Sequence, residues 1–187
     1  ASAMGATTVS NGTLILNNAG VSAASVDIGA ATLQIAGGAA TAGTITNGTG
    51  AGTLDALSGT LTVTSGMAVD TLNIANTNTA ATTASVIVNG GAVSIGNGTE
   101  NLNVGRNTLA AGGASIGTLN LANATGVTIN VAAMQLGTMT GNGAAGTMGT
   151  VLLPTAVAAV NTITATSILA GDSPGSGNTG VTSVLNL

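Results

Sequence analysis

The chain has 187 residues, of which 3% are charged, where about 25% is usual for a soluble domain. One cation and five carboxylates give a net charge of −4, and Lys, His, Cys, Phe, Tyr and Trp are absent. A single cation and no rings exclude a nucleic-acid surface, and the absence of cysteine excludes disulfides and thiolate metal sites.

The chain is nonetheless rich in apolar groups. Hydrophobic residues make up 44%, with a mean hydropathy of +0.58, the reverse of the composition that keeps a chain disordered. A membrane-spanning helix needs about 20 nearly continuous apolar residues. The best run, Val151 to Val160, is shorter and contains Pro154 and Thr155, so no transmembrane segment is expected. The opening Ala1-Ser2-Ala3 suits the small-residue end of a leader cleavage site, a weak signal in a chain this rich in Ala and Ser.

Short strands are predicted along most of the sequence. The first run, Leu14-Ile15-Leu16, is continuously apolar and fits an alternating pattern only in part. Cleaner alternation follows in Val26-Asp27-Ile28, Leu33-Gln34-Ile35, Leu61-Thr62-Val63 and Leu72-Asn73-Ile74. It continues in Val93-Ser94-Ile95, Leu102-Asn103-Val104, Leu119-Asn120-Leu121 and Ile129-Asn130-Val131. A period of two places the aliphatic pair on one face and the polar residue on the other. Between the runs stand Asn11-Gly12, Asn47-Gly48, Asn89-Gly90, Asn97-Gly98 and Asn142-Gly143. Both residue types tolerate positive φ, so these pairs mark turns.

The runs also resemble one another. Gly12-Thr13-Leu14, Gly52-Thr53-Leu54, Gly59-Thr60-Leu61 and Gly117-Thr118-Leu119 share a triplet. Ala31-Thr32-Leu33, Asp70-Thr71-Leu72 and Glu100-Asn101-Leu102 are near-copies. Related runs recur every 17 to 21 residues, as with Leu14, Leu33, Leu54 and Leu72; the step to Leu102 is longer. Recurrence at such a period is the signature of a solenoid. The expected fold is therefore all-β, a parallel β-solenoid (β-helix) with degenerate coils of roughly 17–21 residues. About ten coils, each rising ~4.8 Å, would span roughly 50 Å. Stacked identical positions suit Asn, Thr, Val and Leu and disfavour like charges, which accounts for the composition. The alternative is a β-sandwich pilin that donates a terminal strand.

Two regions are expected: residues 1–149 as the β-solenoid repeat region, and 150–187 as a variant C-terminal region serving as a cap or an inter-subunit contact. In the latter, Ala156 to Val160 reads as a short helix or as strand, Gly171 to Gly180 as a loop, and the last residues as strand. Val181, Val184, Leu185 and Leu187 form the candidate assembly segment.

Candidates for chemistry are few. The ionisable side chains are Asp27, Asp55, Asp70, Glu100, Asp172 and Arg106. Asp55 and Asp70 could meet across coils as a carboxylate pair, and Glu100 could pair with Arg106, but solvated turn acids are the simpler reading. The Gly90-Gly91 and Gly112-Gly113 pairs lack the acids of a calcium β-roll. Thr-x-Thr occurs at Thr44/Thr46, Thr60/Thr62/Thr64, Thr77/Thr79, Thr138/Thr140 and Thr162/Thr164/Thr166, at uneven spacings that suit ordinary outward strand threonines. Asn11, Asn47, Asn97 and Asn123 lie in Asn-x-Ser/Thr triplets. No catalytic residue, cofactor or metal site is expected, and the chain is not expected to be an enzyme.

The phrases GTLTVTSGMAVDTLNIAN, ENLNVGRNT and IGTLNLANATGVTINV resemble secreted bacterial surface proteins with autotransporter-associated β-strand repeats, over most of residues 10–140. That resemblance implies a β-solenoid displayed outside the cell. The expected role is a structural subunit of an extracellular self-assembling fibre, sheath or surface layer. Its partner would be itself, as a homopolymer joined head to tail or by strand exchange. The alternative is an adhesin or passenger fragment that binds a surface ligand such as a glycan through side loops.

Overall fold

The computed structural model describes residues 2–48, 50–77, 81–108, 113–140, 146–156, 158–173 and 180–187. They form fifteen strands and no helix. The strands are β1 (Ser2–Thr8), β2 (Thr13–Leu16), β3 (Val21–Asp27), β4 (Thr32–Thr46) and β5 (Thr53–Val63). Then come β6 (Met67–Val69), β7 (Thr71–Ile74), β8 (Thr82–Val88), β9 (Ala92–Ile95) and β10 (Asn101–Asn107). The last are β11 (Ser115–Asn120), β12 (Gly126–Met139), β13 (Met148–Leu152), β14 (Val160–Ala170) and β15 (Thr182–Asn186). All belong to one sheet whose pairings between named strands are parallel. This is the β-solenoid arrangement. Among the described residues the antiparallel pairing of a β-sandwich is not observed, and β15 pairs with β13 of its own chain.

Register resolves the sheet into three faces that the chain visits in the same order on each turn. The first face stacks Ser2, Val21, Ala40, Leu61, Val86, Leu119, Val151 and Leu185. The second stacks Thr7, Val26, Ile45, Met67, Val93, Val127 and Asn161. The third stacks Leu14, Leu33, Leu54, Leu72, Leu102, Met134 and Ile168. The described residues thus make seven turns and one further first-face strand. Long strands serve two faces: β4 pairs with β2 through Thr32–Ile35 and with β3 through Ala40–Thr46.

The alternating pattern explains the core. Leu33, Leu54, Leu72 and Leu102 are fully buried, as are Ile35, Ala56, Ile74 and Val104 two residues on. Between these two columns runs a third, of outward-facing residues: Ile15, Gln34, Asp55, Asn73, Asn103, Gln135 and Leu169. No large ring is needed to fill so narrow an interior.

The spacing departs from expectation after the fourth turn. Along the third face the leucine column advances by 19, 21 and 18 residues, within or close to the expected range, and then by 30, 32 and 34. Seven turns replace the expected ten because the later turns are longer. Most of the added length lies at one corner, after Ile74, Val104, Leu136 and Ala170, which are register partners. The residue that follows each is Ala75, Gly105, Gly137 or Gly171, with φ of +50°, +64°, +54° and +65°. Ala75 is the only described non-glycine residue with positive φ. The outgoing stems pair as well: the Thr108 amide donates to the Thr77 carbonyl, Thr140 to Asn107, and Met139 to Asp172. The described stems of the four excursions therefore stack at one corner.

At this corner the end of the third face presses on the start of the first. A Cβ on Gly105 would lie 1.9 Å from the Met148 carbonyl oxygen, and one on Gly149 would lie 2.3 Å from that of Val104. Residues 150–187 continue the same ladders through β13, β14 and β15. Ala156 to Val160 forms no helix in its described residues; the Ala159 amide closes a turn on the Ala156 carbonyl, and Val160 opens β14. Asn142-Gly143 and most of the loop from Gly171 to Gly180 lie outside the described residues, whereas Gly12, Gly48, Gly90 and Gly98 all take positive φ.

Candidate functional site: polar column and open ends

Three of the carboxylates, Asp27, Asp55 and Asp70, each have their own backbone or amide partners. The Gly29 amide donates to Asp27 Oδ1 at 3.1 Å. Asp70 is buried, and its Oδ2 accepts from Asn47 Nδ2 at 2.6 Å and from the Gly52 amide at 3.2 Å. Asp55 stands in the outward column and accepts from Gln34 Nε2 at 3.4 Å. Asp55 and Asp70 thus have separate partners and each serves its own turn. Among the described residues no three acids converge into a metal-binding group.

Arg106 donates through Nη1 to Asn76 Oδ1 at 3.4 Å, and no ion pair with Glu100 is found. The expected pair is replaced because Arg106 lies on the outgoing stem of an excursion, opposite Thr138. Asn76 and Asn103 both donate to Asn73 Oδ1, at 3.2 and 2.7 Å. Side-chain hydrogen bonds therefore cross between turns within the polar column at Gln34–Asp55 and Asn73–Asn103. Thr8, Asp27, Thr46, Ala68, Ser94, Thr128 and Thr162 form a comparable outward column on the second face, its hydroxyls interrupted by Asp27 and Ala68. Of the residues in glycosylation-type triplets, Asn11, Asn97 and Asn123 are exposed and Asn47 is engaged with Asp70.

Burial raises the Asp55 pKa above its ordinary 3.8, and the hydrogen bond from Gln34 opposes this only in part. The folded chain therefore holds the proton to higher pH than the unfolded chain does. The ionised carboxylate costs stability; that cost is absent below pH 3.8, grows as pH rises, and is complete above the raised pKa. Asp55→Asn keeps an acceptor for Gln34 and removes the charge. Its urea midpoint is expected to exceed the parent's at pH 7 and to match it near pH ~3. A lower midpoint at pH 7 would contradict this assignment.

The most distinctive feature is at the two ends. Among the described residues, Ile15, Met148, Val160, Ile168, Leu169, Val184 and Leu187 are the exposed large hydrophobics. All but Met148 belong to the first or last rung of a face. Val181, Val184, Leu185 and Leu187 of the candidate assembly segment fall in this set or beside it: Val184 and Leu187 are exposed, and Leu185 packs against the core. Leu185, Leu187, Ile163, Ile168, Leu153 and Asn161 line an apolar hollow of about 360 Å³ at the open end. The terminal strands β1, β2, β14 and β15 carry no charged residue.

The sequence reading missed Ile15, Val160, Ile168 and Leu169. The signal was present: Leu14-Ile15-Leu16 breaks the alternation, placing Ile15 where inner turns have Gln34, Asp55, Asn73, Asn103 and Gln135. Leu169 breaks it in the same way at the far end. Among the described residues no helix is long and apolar enough to cross a membrane. Comparison with protein-family models, curated proteins and solved structures finds no match.

Proposed function

We propose that this chain is a structural subunit of an extracellular fibre, sheath or surface layer, built by head-to-tail stacking of solenoids. The observation that carries this reading is that, among the described residues, exposed large apolar side chains are confined to the end rungs, apart from Met148. The edges there also have unpaired backbone groups, which template further strands. Uncharged end strands offer no electrostatic resistance to approach. The resemblance to secreted surface proteins with β-strand repeats supports the extracellular setting.

Electron microscopy of concentrated protein tests the reading. Filaments should form, with fibre diffraction giving a meridional spacing near ~4.8 Å. Ile168→Asp, which places a charge on the last third-face rung, should abolish them while leaving the inner turns folded. Dispersed monomers of the parent at high concentration would overturn the proposal.

The corner after the third face favours a second reading, an adhesin. It carries the partly exposed Asn76 and Arg106 on adjacent stacked stems, where a side-loop binding surface would sit. Binding of monomeric protein to an array of surface glycans, lost in Arg106→Ala, would support this reading over the first.

A further inference from the structure

The first face has one rung more than the second and third, so the two ends are not flush. The extra rung is β15, on the outer edge of β13. At the other end the first rung of the first face is Ser2–Met4, which holds the edge of β3. Ser2 and Ala3 are exposed, and only Met4 of this rung packs against the core.

Resting on the stacking reading above, two dockings of a second copy are geometrically available. In one, the copy turns by about a third of a revolution, so that its first rung continues the spiral after β15. In the other, the copies keep the same orientation, and β15 takes the place of the next copy's Ser2–Met4. Side chains decide between them. With orientation kept, the next copy's Leu14-Ile15-Leu16 lies over Ile168-Leu169-Ala170, and every third-face column continues in register. Ile15 and Leu169, the two apolar residues in an otherwise polar outward column, then meet each other. On the second face Thr8 lies over Thr162. On the first, Val21 lies over Leu185, the column that Val151 already leads into. Turned by a third, Leu169 would instead face Thr8, and no outward column would continue.

We infer that this chain assembles with a second copy in the same orientation, with β15 of one copy replacing residues 2–4 of the next between β13 and the next β3. The occupant of each open end is thus another copy of this chain, advanced by seven turns, or about 34 Å at ~4.8 Å per turn.

Paired cysteines test the register, and the chain has no native cysteine to interfere. Adjacent parallel strands lie ~4.8 Å apart, within the Cα separation of about 4.4–6.8 Å that a disulfide bridges. Both sites are at the surface, so the exchanges spare the core. The variant I15C with L169C is expected to oxidise into a ladder of covalent multimers, and I15C with V184C is expected to give none. Multimers from the second pair alone, with filaments intact, would overturn this register and leave the fibre reading standing. Failure of the parent to assemble would remove both. A second measurement follows from the strand replacement. Deleting residues 1–4 removes the competitor for the β15 position and should lower the concentration at which assembly begins, whereas loss of assembly on that deletion would overturn the inference.

Discussion

Gly105→Ala is expected to lower stability by about 3 kcal/mol or more, read as a fall in the urea midpoint. Two costs combine. The residue sits at φ +64°, where a Cβ adds about 1–2 kcal/mol of strain. The new methyl would also lie 1.9 Å from the Met148 carbonyl oxygen, a backbone atom held in the β11–β13 ladder. It cannot move aside without breaking that pairing. Ala75 occupies the equivalent position one turn earlier, with φ +50° and complete burial. Ala75→Gly relieves the strain but loses a buried methyl, about 0.8 kcal/mol, and adds chain entropy to the unfolded state. These terms nearly cancel, so a change within about 1 kcal/mol is expected. Equal large losses in both variants would show that close approach at this corner is not what selects glycine.

The second large effect is predicted in the leucine column. Leu72→Ala should cost about 3 kcal/mol, within the 2–5 kcal/mol typical of a buried leucine. Leu72 is fully buried and stacked between Leu54 and Leu102. Backbone pairing holds both neighbours at a fixed strand spacing, so they cannot collapse into the space. Leu169→Ala, on the exposed outward column of the last rung, should change the midpoint little in the monomer. A similar loss at both positions would argue against burial as the source of the Leu72 effect.

Much of the fold was legible because each inward column repeats one residue class. Leu14, Leu33, Leu54, Leu72 and Leu102 recur in sequence and stack in space. The count of turns was not legible, for two physical reasons. The same triplet serves different faces: Gly12-Thr13-Leu14 and Gly52-Thr53-Leu54 lie on the third face, but Gly59-Thr60-Leu61 and Gly117-Thr118-Leu119 lie on the first. Local alternation fixes which side chains point inward and says nothing of which face carries them. The excursions after Ile74, Val104 and Leu136 also lengthen the turns without adding rungs, and their stems read as ordinary strand. The apolar ends were half legible. Val184 and Leu187 stood out at the end of the sequence, whereas Ile15 and Leu169 gain meaning only beside the polar residues stacked with them.

The unequal faces bear on how the structure opens and closes. In a stack where each turn touches only its neighbours, stability is a sum of local and nearest-neighbour contributions, and opening begins where a neighbour is missing. The half-exposed rungs at Ser2–Met4 and β15 are those places. Amide hydrogens there should exchange fastest in the isolated chain, with protection rising toward Leu72. Joining copies would supply the missing neighbour at both ends at once. The slowest amides of the chain would change little, those of β15 would become as slow as the interior, and those of Ser2–Met4, displaced by β15, would stay fast.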